Sequence, residues 1–224
     1  MVIPFAMNAA FPHPPPAMRA ALDALVRHDV RLAPIEAAAG PLPWRVRPPG
    51  FPGLLQAIVA QQISNQAASA IWRRVGAVPG ALEPVGLLAL EDAALVGAGL
   101  SRPKVAHARA LAAAFVEGRL SDAGLAAMDD AGAMAAITAV RGLGPWTAEV
   151  YLLFALQRMD VFPAGDIAVA GAAAHLLGLA ERPGPVALRT LAEMWRPHRA
   201  LAARLLWHHW RHITGRPSMD EVPP

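Results

Sequence analysis

The sequence predicts an all-α protein, and three observations favour this fold class. Apolar residues recur at helical spacing in several segments, no segment shows convincing strand alternation, and alanine, a strong helix former, supplies much of the apolar content. Apolar residues make up 55% of the 224 residues, which is enough for one large core or two small ones. No unbroken apolar run reaches about 18 residues, so we expect no membrane span.

Eight segments have the periodicity and the proline signals of helices. Residues 1–16 are rich in proline and are expected to be irregular, and a second proline-rich segment, Pro41–Gly50, connects the first two helices. The longest helix rests on apolar residues at helical spacing from Leu54 to Ile63, and Pro103 suits the first turn of the next helix. The predicted helices are Ala17–His28, Phe51–Val75, Pro103–Glu117, Asp129–Val140, Trp146–Gln157, Asp166–Gly178, Pro185–Met194 and Arg199–Thr214.

Composition favours a partner that carries negative charge. The formal net charge is +3, and Lys104 is the only lysine among the 20 Lys and Arg residues, so arginine supplies nearly all of the positive charge. Arginine binds phosphate through two hydrogen bonds more readily than lysine does, although the same composition could simply record a biased genome. With Cys 0, the sequence excludes disulfides, thiolate metal sites and iron–sulfur clusters.

The most informative segment is Val140–Ala148, in which two glycines flank one apolar residue between helical segments. Gly142 and Gly144 can both take positive φ, so we expect a tight hairpin there. Pro145 suits the first turn of the helix that follows, because the N–H it lacks would have no partner at that position. The amides at such a helix N-terminus attract an anion such as phosphate. The segment therefore points to a nucleic-acid ligand.

Five segments in the same order resemble those of a known family. They are Ile58–Ser64, Gly99–Lys104, Val140–Ala148, Asp160–Asp166 and Trp195–Arg199. Through them the chain resembles the helix-hairpin-helix (HhH-GPD) DNA glycosylases, most closely the 3-methyladenine DNA glycosylase II (alkylbase) branch. The resemblance implies a two-lobed domain over residues 17–214 with a central cleft. Residues 17–50 and 159–214 would form one lobe, residues 51–158 the other, and residues 215–224 a tail.

The resemblance implies that Asp166 is the catalytic carboxylate. Cleavage of an N-glycosidic bond develops positive charge on the deoxyribose, and a carboxylate about 4 Å away would stabilise it by about 4 kcal/mol at an effective dielectric near 20. From the sequence alone, a plain helix N-cap is the simpler interpretation of this residue. The spacing of 20 residues between Trp146 and Asp166, and the match of the residues around Asp166 to the family, favour the catalytic interpretation. Asp160 is the alternative carboxylate, which we expect to be structural.

The same resemblance places four residues at the base pocket. Trp146 stands where bifunctional members of the superfamily have a nucleophilic lysine, so no Schiff base can form there and no AP lyase activity is expected. Its indole could instead stack on a cationic alkylated base, or it could be a core residue. Trp207 matches an aromatic that faces the pocket, with packing beneath the cleft as an equal alternative. Val150 and Ile167 replace aromatics, so the lesion preference cannot simply be inherited.

Side chains for DNA contact are implied by the resemblance as well. The residue that would fill the gap left by a flipped base matches Gln62, although Gln61 is adjacent and both could be ordinary polar residues. Arg102, Lys104 and His107 lie near one helix N-terminus and could contact phosphates. A solvated basic face is the competing interpretation.

The hairpin itself is expected to bind a phosphate through the amides around Gly142, Gly144 and Trp146. Family hairpins often hold a monovalent cation through backbone carbonyls, here those of Val140 and Leu143, so Na⁺ or K⁺ is a possible structural ion. No cofactor is expected to be required. His208 and His212 stand four apart on a helix, but the sequence places no third zinc ligand near them, so we expect solvated or DNA-facing histidines.

The sequence thus predicts a monofunctional enzyme of base excision repair, a DNA-3-methyladenine glycosylase II. We expect it to flip and excise alkylated purines, of the 3-methyladenine and 7-methylguanine type, from duplex DNA. We expect a monomer in a bacterial-type cytoplasm, associated with the nucleoid. Two alternatives stay open: a glycosylase for uracil, hypoxanthine or oxidised guanine, and a hairpin module that binds DNA without catalysis.

Overall fold

The computed structural model describes residues 9–215. Their regular secondary structure is helical except for two three-residue strands, and the all-α prediction is confirmed. Residues 1–8 of the predicted segment 1–16 and residues 216–224 of the predicted tail 215–224 lie outside the described residues. Within them, no helix combines the length and the apolarity needed to cross a membrane. The elements are β1 (Ala9–Phe11), α1 (Pro16–His28), α2 (Ala33–Ala39), β2 (Trp44–Val46), α3 (Gly50–Ala60), α4 (Asn65–Gly76), α5 (Pro84–Ala89), α6 (Asp92–Gly97), α7 (Arg102–Val116), α8 (Asp122–Ala127), α9 (Asp130–Thr138), α10 (Pro145–Phe154), α11 (Ile167–Leu177), α12 (Pro185–Ala192) and α13 (Arg199–Thr214).

The described residues form two compact units. One, the middle unit, consists of residues 47–156. The other, the terminal unit, consists of residues 9–46 and 157–215. The chain therefore leaves the terminal unit after Val46 and returns to it at Gln157.

Helix α3 is the centre of the middle unit. Every residue of this helix from Gly50 to Val59 is buried, and it packs against α4, α7 and α10. A helix that is apolar on all sides has no face suited to water, so it is enclosed by its neighbours. At its start, the Gly50 amide donates to the Tyr151 hydroxyl over 2.8 Å. Burial raises the pKa of Tyr151 to about 12.

The prediction of one helix over Phe51–Val75 is wrong, because the chain turns between α3 and α4. Gln62 has a φ of 57°, a left-handed conformation that costs a non-glycine residue about 1–2 kcal/mol. The new helix then has its own N-cap, because the Ser64 hydroxyl accepts from the Ala67 amide over 3.2 Å. The last carbonyls of α3 also have a side-chain partner, since Lys104 Nζ donates to the Val59 carbonyl over 2.8 Å.

Helix α13 is the centre of the terminal unit, where it packs against α1, α2 and α11. Its approach to α11 requires a glycine, because a Cβ on Gly171 would lie 2.6 Å from the Trp210 ring. Elsewhere in this unit the buried Trp195 indole donates to the Asp29 carboxylate over 2.8 Å. The hydrogen bond from Arg31, together with that indole, holds the pKa of Asp29 below its usual range.

Two short strands and four short helices were not predicted. Strands β1 and β2 pair antiparallel, with Phe11 opposite Trp44, in segments expected to be irregular. Each strand has only three residues, too few to show alternation. Helices α2, α5, α6 and α8 have six or seven residues each, which is less than two turns of periodic signal.

Candidate nucleic-acid interface and active site

The hairpin between α9 and α10 forms as the glycine pattern predicts, with one correction. Gly142 has a φ of +90°, and the turn is closed by the Leu143 amide, which donates to the Val140 carbonyl over 3.1 Å. Gly144 has a φ of −91°, so the expectation of positive φ is wrong for this residue. It serves instead as the N-cap of α10, with Pro145 in the first turn. Because Gly144 has no side chain, it leaves the first-turn amides uncapped, as an anion site requires.

Two side chains from elsewhere in the middle unit hold this hairpin. A Cβ on Gly142 would lie 2.2 Å from the Cγ atom of His107, so the imidazole ring packs directly against the glycine. Gln61 Nε2 donates to the Gly142 carbonyl over 2.9 Å and approaches Thr147 Oγ1 at 3.4 Å. The structure therefore gives Gln61 and His107 supporting roles that the sequence did not reveal. The signals available were the place of Gln61 in a segment that resembles the family and the place of His107 near the start of a predicted helix.

The predicted DNA-contact side chains differ in their surroundings. Arg102 and Gln62 are exposed, as contact with DNA requires. Lys104 is half-buried, its ammonium donates to the Val59 carbonyl, and burial lowers its pKa. Arg141, which the sequence analysis did not single out, is exposed within the hairpin itself. Its signal was its place beside Gly142.

Asp166 is the N-cap of α11, as its position at the start of a predicted helix indicated. Its Oδ1 atom accepts from the amide of Ala168 over 2.8 Å and from that of Val169 over 2.9 Å. The side chain is partly exposed, and the neighbouring Ile167 is 68% exposed. The capping role is thus present, and it leaves a catalytic role compatible with the geometry.

The predicted pocket residues are distributed over both units. In the terminal unit, Trp207 is half-buried on α13, the helix against which α11 packs. In the middle unit, Trp146 is half-buried in the first turn of α10. Val150, one turn further along, is only 2% exposed and forms part of the core. A role for Val150 in direct contact with a base stays a prediction.

The sequence profile of a family described as "HhH-GPD superfamily base excision DNA repair protein" matches residues 55–197, which include the hairpin and Asp166. The chain belongs to the HhH-GPD superfamily. It is 34% identical over 131 residues to the DNA-3-methyladenine glycosylase of Saccharomyces cerevisiae, a match that covers 54% of this chain and only 44% of that protein. It is 27% identical over 158 residues to the DNA-3-methyladenine glycosylase 1 of Schizosaccharomyces pombe, covering 69% of each.

Solved structures place the HhH-GPD chain in the same fold. The crystal structure of a DNA-3-methyladenine glycosidase from Bacillus halodurans is 32% identical with a TM-score of 0.73, and the match covers 96% of this chain and 98% of that one. The Schizosaccharomyces pombe 3-methyladenine DNA glycosylase Mag1, in complex with abasic DNA, has a TM-score of 0.75 at 23% identity. That match covers 86% of this chain and 95% of Mag1.

Asp160 of the HhH-GPD chain is structural, as expected. Its carboxylate accepts from Arg196 over 2.7 Å and from Arg199 over 2.8 Å, and Arg199 also donates to the Asp160 carbonyl over 2.7 Å. Arg199 is the more enclosed of the two arginines, with 13% of its side chain exposed. This carboxylate therefore ties the start of α13 to the loop that precedes Asp166.

Two histidines of α13, His208 and His209, differ from the expectation that they are solvated or DNA-facing, whereas His212 is exposed. His209 is 9% exposed and lies 3.0 Å from His175, nitrogen to nitrogen, while His208 lies 2.9 Å from the Gly40 carbonyl. Burial lowers the pKa of both His208 and His209. In the described part of the chain, no three His, Cys, Asp or Glu residues cluster as a metal site would require.

Proposed function

We propose that this protein is a monofunctional DNA glycosylase that removes alkylated purines, such as 3-methyladenine and 7-methylguanine, from duplex DNA. The observation that carries the proposal is the carboxylate of Asp166, held at a helix N-terminus in a chain that also carries a hairpin with uncapped first-turn amides. The similarity over 96% of the chain to a Bacillus halodurans DNA-3-methyladenine glycosidase supports it.

Asp166 would act on the sugar of the flipped nucleotide. Its two hydrogen bonds from the α11 amides fix the carboxylate, so the negative charge needs no reorganisation as the glycosidic bond breaks. At about 4 Å the charge stabilises an oxocarbenium-like sugar by about 4 kcal/mol, which is roughly a thousandfold in rate. The same carboxylate can orient the water that attacks the sugar carbon.

Trp146 would recognise the base. An N-alkylated purine carries positive charge, and an indole attracts such a ring by about 0.5–2 kcal/mol. The positive charge also makes the base a good leaving group, so little protonation by the enzyme is needed. Because Trp146 occupies the position of the lyase lysine, the product would be an abasic site in an uncut strand.

The hairpin would hold the duplex by one phosphate. The first-turn amides of α10 supply the hydrogen-bond donors, and the exposed Arg102 and Arg141 add positive charge on the same unit. The Val140 carbonyl accepts one hydrogen bond, from the Leu143 amide, and so retains a second lone pair with which it could bind a monovalent cation together with the Leu143 carbonyl. Such an ion would bring further positive charge to the phosphate.

Base release is the direct test. The protein is incubated with duplex DNA methylated by dimethyl sulfate and, separately, with duplexes that contain uracil, hypoxanthine or 8-oxoguanine, and the released bases are identified by chromatography. We expect 3-methyladenine and 7-methylguanine, with the DNA strand intact until alkali is added. Release of the other bases alone would overturn the alkylbase assignment. Duplex binding without any release would indicate a non-catalytic module.

A further inference from the structure

We propose that Gln61 and Lys104 are positioning residues that hold Gln62 at a fixed place beside the hairpin. The inference rests on the proposed function, in which the hairpin binds a DNA phosphate and Gln62 fills the gap left by the flipped base. Under this arrangement, the phosphate bound by the hairpin and the gap filled by Gln62 lie at a fixed distance from each other along the duplex. It also reassigns Lys104, which the sequence suggested as a phosphate contact.

The first observation concerns the end of α3. The helix ends although the apolar periodicity continues, and Lys104 Nζ donates to the Val59 carbonyl at this point over 2.8 Å. The ammonium is half-buried against the protein, and burial lowers its pKa. A half-buried cation with a carbonyl partner stabilises the helix end, and its charge is already directed at the protein rather than at a phosphate.

The second observation is the hydrogen bond that joins the turn to the hairpin. Gln61 Nε2 donates to the Gly142 carbonyl over 2.9 Å, between residues 81 positions apart in the sequence. His107, three residues after Lys104 on α7, packs its ring against the same glycine. Helix α7 therefore supports both the end of α3 and the hairpin, and Gln61 links these two segments directly.

The third observation is the backbone of Gln62. This residue is exposed and has a φ of 57°, a conformation that persists in a non-glycine residue only where the surroundings enforce it. The neighbours that enforce it are the hydrogen bond of Gln61 on one side and the Ser64 N-cap of α4 on the other. Strain of this kind is characteristic of a functional position.

Gln61→Met removes the hydrogen bond at constant charge and similar size. The readout is the ratio of affinities for a duplex with a tetrahydrofuran abasic analogue and for the same duplex intact, measured by fluorescence anisotropy. We expect Gln61→Met to lower this ratio about fivefold to tenfold, the effect of one lost hydrogen bond. A loss of affinity that acts through the hairpin alone weakens binding of both duplexes and cancels in the ratio. Circular dichroism melting checks that the variant is folded.

A double-mutant cycle separates positioning from general destabilisation. If Gln61 acts through Gln62, Gln61→Met has no further effect on the ratio in a Gln62→Ala background, because coupled residues are not additive. Independent losses that multiply in the double variant would overturn the inference. So would a single Gln61→Met variant with the wild-type ratio.

The salt dependence of binding tests Lys104. Affinity for DNA falls as salt rises, and loss of one phosphate contact makes the slope of log affinity against log salt less steep by about 0.9. Loss of a positioning residue leaves this slope unchanged. We expect Lys104→Met to keep the wild-type slope and to lower the abasic-to-intact ratio about fivefold, with Arg102→Gln as the comparison that lowers the slope. A lowered slope with an unchanged ratio for Lys104→Met would restore the phosphate assignment.

The binding readouts also separate the two proposals. If the wild-type protein releases no methylated base but prefers the abasic duplex, and Gln61→Met abolishes that preference, the positioning inference holds while the proposed chemistry fails. If base release is observed and all variants bind like the wild type, the proposed function stands and the positioning inference fails.

Discussion

Replacement of Asp166 by asparagine separates its negative charge from its role as an N-cap. Both hydrogen bonds from the α11 amides end on one side-chain oxygen, Oδ1, and an asparagine carbonyl can accept them equally well. The negative charge that is proposed to stabilise the sugar is lost. At about 4 Å and an effective dielectric near 20, that charge contributes about 4 kcal/mol, so base release should fall roughly a thousandfold.

Stability provides the internal check on this reasoning. Asp166→Asn should leave the melting temperature almost unchanged, whereas Asp166→Ala removes the cap and costs about 1 kcal/mol, or roughly 2–4 °C for a chain of this size. The matched control is Asp129→Ala at the N-cap of α9, where Oδ1 accepts from the Gly132 amide over 2.7 Å. That control should show the same thermal loss and release methylated bases at close to the wild-type rate.

Single-turnover release of 7-methylguanine from a duplex oligonucleotide measures the chemical step, with enzyme in excess so that product release does not contribute. Anisotropy on the same duplex confirms that Asp166→Asn still binds. If Asp166→Asn retains more than about a tenth of the wild-type rate, the residue supplies less than 1.4 kcal/mol to the transition state. The assignment of Asp166 as the catalytic carboxylate would then be refuted.

Three further predictions follow from the geometry. Gly142→Ala should destabilise the protein by at least about 1–2 kcal/mol and weaken duplex binding, because the φ of Gly142 is +90° and a Cβ would meet His107. Gly144 has a φ of −91° and open space around it, so Gly144→Ala should keep the wild-type melting temperature. Hydrogen bonds from Arg31 and, to a lesser extent, from the Trp195 indole lower the pKa of folded Asp29 below its unfolded value of 3.8. The free energy of unfolding that this carboxylate contributes is therefore complete above pH 3.8 and is lost as the pH falls through the pKa of the folded protein. Asp29→Asn should remove this acid-dependent loss in urea titrations. Replacement of K⁺ by tetramethylammonium at constant ionic strength should weaken duplex binding if the hairpin carbonyls hold a cation, and unchanged binding would exclude that role.

The helices whose ends carry a local signal could be predicted from the sequence. Pro145 in the first turn of α10 and Asp166 before α11 are local signals, and the structure places both helix starts there. The glycine pattern identified the hairpin for the same reason, because positive φ at Gly142 is a property of that residue. These features depend on neighbours within a few positions of the chain.

The break between α3 and α4 was not predicted, because Ser64, a local N-cap signal, follows an unbroken helical periodicity and long-range contacts hold the turn. Apolar spacing continues through Gln62 and Ile63, and neither proline nor glycine marks the turn. The contacts that hold it come from Gly142, 81 residues after Gln61, and from Lys104, 45 residues after Val59. The phosphate contact suggested for Lys104 stays a prediction, and its hydrogen bond to a carbonyl 45 residues away could not be read from its basic neighbourhood either.

The scarcity of lysine has a practical consequence for work on this protein. Lys104 is the only lysine in the 224 residues, and its amine is half-buried against the end of α3. An abasic aldehyde that condenses with a lysine can be reduced by borohydride to a permanent cross-link, and here one peptide alone could carry such a lysine adduct. Mass spectrometry of that peptide would therefore report on imine chemistry without interference from other lysine side chains.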